Sequence, residues 1–204
     1  MKIYLVSNNL LLDNISYDNS ANLDTIRLTR PLSIKGSNLA KELSNKDIFN
    51  NIEKIYSSYH ASAISSSKYL ADKLNIDIIL KENLNDCKVG YLGSKNMKMV
   101  KGLQDHEFTY KLSNGESLNE VGDRLNLFLY SIYKENCNMV LFTHKRAILG
   151  LLLKYSTVGY NLDDNLILEY NNNLIYDDTE SNIDIYELTI HDNKIKDIKK
   201  VDYD

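Results

Sequence analysis

Four short apolar runs, at residues 2–6, 54–57, 76–80 and 138–143, alternate with stretches in which apolar residues recur every three or four positions. Runs this short, apolar at successive positions, suit strands buried on both faces of a parallel sheet. Parallel strands need crossover connections, and the stretches between the runs have helical period. Ser33 is placed to cap a helix whose Leu39, Ala40 and Leu43 share a face. Ile64, Ser67, Ala71 and Leu74 form a second stripe, and Leu118, Val121, Leu125, Phe128 and Ile132 the clearest one. The expectation is an α/β fold: three layers, α/β/α, around a mostly parallel sheet. After residue 165 the pattern changes. Residues 166–170, 174–176 and 183–190 read as strands, and Asp192-Asn193 turns into a further one at 194–201, which predicts a mixed edge to the sheet.

With 204 residues, one Pro, eight unclustered Gly and no internal repeat, the chain reads as one domain spanning 1–204. Residues 83–113 hold no sustained period. A stretch that long inside a compact domain predicts an insertion or lid over the carboxyl ends of the strands. The net charge of −4 comes without a basic block, so a nucleic-acid partner is not expected. The apolar runs are too short to span a membrane, no secretory leader is evident, and the protein is expected in the cytoplasm. Cys87 and Cys137 are 50 positions apart, neither a metal spacing nor a redox pair, and read as free thiols.

Ligands of open α/β sheets sit outside the carboxyl ends of the strands, which directs attention to the strand exits. Three are unusual: Ser7-Asn8-Asn9 after the first run, Ser57-Ser58-Tyr59-His60 after the second, and Thr143-His144-Lys145-Arg146 after the run at 138–143. Taken in order, "MKIYLVSNN", "RPLSIKG", "IYSSYHASAISSS", "NGES" and "VLFTHKRAILGLLL" resemble the motif series of the histidine phosphatase superfamily, with its phosphoglycerate-mutase-like fold, over about residues 1–155. In that family the opening strand ends in Arg-His-Gly and the second motif is Pro-Leu-Thr-x-x-Gly. Ser-Ser-x-x-x-Arg-Ala-x-x-Thr is the third, a Gly-Glu-Ser precedes a long helix, and a Ser-His-Gly closes a late strand.

The resemblance implies phosphoryl transfer to the opening histidine, assisted by two arginines, the late histidine and an acid that protonates the leaving oxygen. Such a histidine splits one hard hydrolysis into two displacements, and cations stabilise the charge spread over the phosphoryl oxygens. This chain departs from the pattern at most of those positions. The opening Arg-His-Gly aligns with Ser7, Asn8 and Asn9, the arginine of the third motif with Ser62, and the acid with Val89. An amide cannot accept a phosphoryl group, and valine has no proton to give. His144, Glu116, Arg124 and Asn14 remain, Asn14 matching an asparagine that some members place near the phosphate. The expectation is a pseudophosphatase with a binding or regulatory role, without cofactor, whose pocket takes a small polar ligand or a protein partner.

Other readings stay open at this point. His144 is a relic, a ligand-binding imidazole or a base in new chemistry, and Lys145 and Arg146 either supply a cation to the pocket or point to solvent. His60, His144 and Glu116 together are plausible metal ligands, though no spacing supports a metal site. A serine, Ser7, Ser58 or Ser62, acting with His144 as base and Glu116 as orienter would make a hydrolase of another class. His106 and His191 lie in polar contexts and read as exposed. The 15 Tyr, against four Phe and no Trp, read as half-buried packing with wet hydroxyls.

Overall fold

The computed structural model describes residues 1–16, 22–178 and 183–202. Its main sheet has six strands in the order β3-β2-β4-β1-β8-β9. In chain order these are β1 (Lys2–Asn8), β2 (Lys54–Ser57), β3 (Ile78–Leu80), β4 (Met139–Thr143), β8 (Ile183–His191) and β9 (Lys194–Lys200). The first four are mutually parallel, and β8 and β9 close the other side as an antiparallel hairpin. The mostly parallel α/β fold with a mixed edge is therefore present.

β1 is buried on both faces because alternate residues feed two cores. Ile3 and Leu5 point into the layer of α5 (Leu118–Ile132) and α6 (Lys145–Leu152), with Met139 and Leu141 of β4 beside them. Tyr4 and Val6 point into the layer of α2 (Ile34–Ser44) and α3 (Ala61–Leu74), with Val140 and Phe142. An unbroken apolar run is what such two-sided burial requires.

Helix starts follow the capping chemistry. Ser33 accepts from the Gly36 amide at the start of α2. Ser117 and Glu120 form a reciprocal capping box at α5, and its predicted stripe, Leu118 to Ile132, is buried. α3 differs in detail: its buried face is Ser62, Ala63, Ser66, Ser67, Leu70 and Ala71, while Ile64 and Leu74 are only partly covered. Small side chains, three of them hydroxyl-bearing, let this helix lie close to the sheet, and hydropathy alone gives them no weight.

Three elements were not expected. α1 (Leu23–Thr29) has no buried residue. α4 (Met97–His106) lies inside the stretch without period, because Val100 is its one buried large apolar residue and Met97, Met99 and Leu103 are exposed. β5 (Thr157–Tyr160) pairs with β6 (Leu166–Tyr170), and β6 with β7 (Asn173–Asp177), in a separate antiparallel sheet. Two strands expected at the edge of the main sheet thus form a layer of their own. No helix among the described residues is long and apolar enough to cross a membrane.

α5 and α6 meet backbone to backbone. A Cβ on Gly122 would stand 2.1 Å from the Gly150 carbonyl oxygen, and one on Gly150 would stand 2.5 Å from that of Leu118. Gly122→Ala is expected to destabilise the fold by about 1–3 kcal/mol, the usual cost of overpacking. In urea this reads as a lower unfolding midpoint with unchanged slope.

Candidate ligand cleft at the strand ends

Arg124, on α5, organises the loop that follows β3. Its guanidinium donates to both Glu116 carboxylate oxygens at 2.9 Å and to the carbonyls of Glu82, Asn83, Asn85 and Asp86 at 2.7–3.4 Å. Residues 82–86 are thereby wrapped around one side chain. The wrapped loop presents Asp86, which accepts from the Cys87 amide at 2.8 Å and pairs with Arg27 of α1. Burial, the largest single influence, would raise the Asp86 pKa, but the Arg27 charge, the neighbouring imidazoles and the Cys87 amide together outweigh it and hold the carboxyl below its ordinary value.

Arg27 in turn fixes His60. Its backbone carbonyl accepts from His60 Nδ1 at 3.1 Å, which leaves Nε2 of the neutral ring as the acceptor. The His60 amide donates to Ser58 Oγ at 3.2 Å, and Ser58 Oγ lies 2.8 Å from His144 Nε2. With the amide already donating to its oxygen, the hydroxyl is free to give its own proton to that nitrogen. The two imidazoles lie with centroids 4.2 Å apart. Burial lowers the pKa of both, that of His144 to about 3, so both rings are neutral at physiological pH.

Arg27, His60, Asp86 and Arg124 border a cleft of about 920 Å³, whose wall also includes other residues of α1, loop residues between Glu82 and Tyr91 and the Asn114-Gly115-Glu116 turn; Ser58 and His144 are not in its lining. Four carboxylates line it, Asp24, Glu82, Asp86 and Glu116, against three cations, Arg27, Lys88 and Arg124. Most of the carboxylates are already committed. Asp24 accepts from the Val89 and Gly90 amides, Glu116 takes Arg124, and Asp86 takes Arg27. Cys87, also in the wall, has its thiol pushed up to about 12 by burial and is unreactive.

Of the residues singled out in the sequence, His60 and Glu116 line this cleft. Val89 and Arg146 line a second cavity beyond the Arg27-Cys87-Lys88 wall. Ser58 is fully buried beneath His60, in contact with the partly exposed His144. Ser7 is buried on β1 and donates to Asp184 Oδ2 of β8 at 3.4 Å. Asn8 donates to the Gly36 carbonyl and accepts from the Leu10 amide, which ties the exit of β1 to α2. Asn9 and Asn14 are exposed, and Ser62 is buried on α3.

Lys145 lies 5.6 Å over the Tyr176 ring, its pKa lowered by burial against the opposing pull of Asp184. Arg146 points neither into the cleft nor to solvent, since its guanidinium is held by Asp105 and Gln104. The metal reading finds no support in the geometry: Glu116 is engaged by Arg124, and no cluster of three metal-ligating side chains occurs among the described residues. His106 and His191 are exposed, the former stacked on Tyr160.

Sequence reasoning missed Arg27, Asp86 and Asp24. Arg27 had one local signal, its position one turn before Arg30-Pro31-Leu32-Ser33. Asp86 had none, because its role depends on a loop shaped by Arg124.

The family profile of the histidine phosphatase superfamily (branch 1) matches residues 20–176. The chain belongs to the histidine phosphatase superfamily. The matched region begins beyond the exit of β1, so Ser7, Asn8 and Asn9 lie outside it.

Solved structures agree on the fold. The complex of mycobacterial glucosyl-3-phosphoglycerate phosphatase with inorganic phosphate superposes with a TM-score of 0.67 at 14% identity, covering 99% of this chain and 96% of that one. The α-ribazole phosphatase from Shigella flexneri gives 0.64 at 10% identity, with 95% and 92% covered. A phosphoserine phosphatase mutant from Entamoeba histolytica, in complex with phosphoserine, gives 0.64 at 15%, with 97% and 96% covered. At such identities the likeness is one of fold. No curated protein sequence matches the chain.

Two outcomes are expected. Arg124→Met leaves Glu116 and the loop carbonyls without their donor and should lower stability by about 2–3 kcal/mol, less than for a fully buried pair because the side chain is one-fifth exposed. Chemical denaturation measures this.

The second concerns pH. His144 titrates at about 3 in the folded protein, against about 6.5 when unfolded, so the unfolded chain takes up the proton first as pH falls. Its contribution is full above pH 6.5 and declines from there toward pH 3. Between pH 6 and 5, the wild-type unfolding free energy should therefore fall more steeply than that of His144→Gln, by up to about 1.4 kcal/mol per pH unit.

Proposed function

We propose that this protein keeps the fold of a phosphatase without forming a phosphoenzyme, and acts by binding a small polar ligand or a protein segment in the cleft. One observation carries the reading. At the exit of β1, where the family resemblance puts an arginine and the nucleophilic histidine, stand Ser7 and Asn8; Ser7 rests on the buried carboxylate of Asp184, and the Asn8 amide is spent on backbone groups. No imidazole is there to accept a phosphoryl group, and the Asp184 carboxylate, which faces Lys200, stands where the family pattern has a phosphate-binding cation. His144, the surviving family histidine, is neutral and therefore adds no charge for a phosphoryl oxygen.

The cleft supports a neutral polar occupant. Its charged groups are largely compensated within the protein, while Asn83, Asn85 and Asn114 add amides to the wall and Tyr91 stands exposed at the rim. A charged ligand that engages Arg27, Arg124 or their carboxylates would have to displace existing ion pairs, whereas a neutral one needs only hydrogen bonds.

The Ser58–His144 contact favours a second reading, a serine hydrolase, because nucleophile and base are within hydrogen-bond reach. Two features weigh against it. Ser58 is fully buried, and an imidazole titrating near 3 is a poor base at neutral pH.

Assays with p-nitrophenyl phosphate and p-nitrophenyl acetate separate the readings. The expected result is no turnover above background with either. Phosphate-ester turnover abolished by His144→Ala overturns the binding reading in favour of a phosphatase, and acetate turnover abolished by Ser58→Ala does so in favour of a hydrolase.

A further inference from the structure

The second cavity, of about 520 Å³, shares the Arg27-Cys87-Lys88 wall with the cleft and is closed on its other side by α4. Its size is within the range of small-molecule sites. Five basic residues line it, Arg27, Lys88, Lys98, Lys101 and Arg146, and no carboxylate does. Three of the five are already neutralised, Arg27 by Asp86, Arg146 by Asp105 and Lys101 by Asp178. Lys88 and Lys98 form no ion pair among the described residues. The remaining wall is mostly apolar: Val89 and Val100 are buried, Met97 stands exposed beside them, and Cys87 and the polar Gln104 complete it.

The two kinds of wall make opposite demands on an occupant. An inorganic anion would satisfy the ammonium groups and leave the apolar Met97 side chain facing water. An uncharged apolar molecule would cover that surface and leave the positive field uncompensated. Only a molecule with both parts meets both demands. We propose that this cavity is a binding site for an amphiphilic organic anion, a carboxylate with a short apolar chain, its head between Lys88 and Lys98 and its chain against Val89, Val100 and Met97. This site shares only the Arg27-Cys87-Lys88 wall with the cleft and does not depend on how the cleft is read.

Octanoate, octan-1-ol and inorganic phosphate are the probes, titrated into the full chain by calorimetry and by NMR of 13C-methyl methionine. The chain has four methionines, and of these only Met97 borders the cavity, so its methyl resonance reports this site alone. Octanoate is expected to bind one per chain and to shift the Met97 methyl, at least tenfold more tightly than octan-1-ol or phosphate. The double variant Lys88→Gln/Lys98→Gln is expected to weaken octanoate at least fivefold and to leave octan-1-ol unchanged; both lysines are exposed, so the fold tolerates the change. Equal affinity for octanoate and octan-1-ol, an unmoved Met97 resonance, or full octanoate affinity in the double variant each overturn the proposal.

Discussion

The guanidinium of Arg124 is the contact on which the candidate site depends. It reaches from the long helix α5 to hold the segment that follows β3, and every later link starts from that segment. Asp86 faces Arg27 because the loop is wrapped, Arg27 offers its carbonyl to His60, and His60 donates its amide to Ser58, which meets His144. Two helices, one loop and two strand exits are thus joined by hydrogen bonds through six side chains. Such a relay fixes geometry more than it adds stability, since each exchanged hydrogen bond is worth only about 1 kcal/mol net.

Its electrostatic character follows from burial. Two imidazoles in ring contact resist carrying charge together, and here neither does. The one strong charge near them, Asp86, is matched by Arg27. Phosphoryl chemistry calls for an excess of positive charge aimed at one point. At the strand ends of this protein three arginines are engaged by neighbouring carboxylates, Arg27 by Asp86, Arg124 by Glu116 and Arg146 by Asp105.

The sheet could be read from the sequence because β1 and β4 are buried on both faces, which leaves an uninterrupted apolar signature at residues 2–6 and 138–143. α5 was equally legible, its period and capping box agreeing. α4 was not, since a helix with one buried large side chain carries almost no period. The strand exits drew attention through their odd composition, and Ser58, His60 and His144 do meet in space. Arg27 and Asp86 stayed invisible for a physical reason: their partners are distant in sequence and arrive through a loop whose course is set by a side chain on another element. The setting of Arg146 was not legible because Asp105, its partner, lies on the unforeseen α4.

The β9 margin of the main sheet has a bearing on how the molecule keeps its own company. Only Ile198 of β9 is buried, and Lys194, Lys196, Lys199 and Lys200 punctuate its seven residues. A stray strand docking there to extend the ladder would have to bring its backbone in among four ammonium groups, each losing water in the process. At the opposite margin β3 has three residues, too few to template a long pairing. A parallel sheet with an apolar centre is in this way insulated at both rims against growing from one molecule into the next.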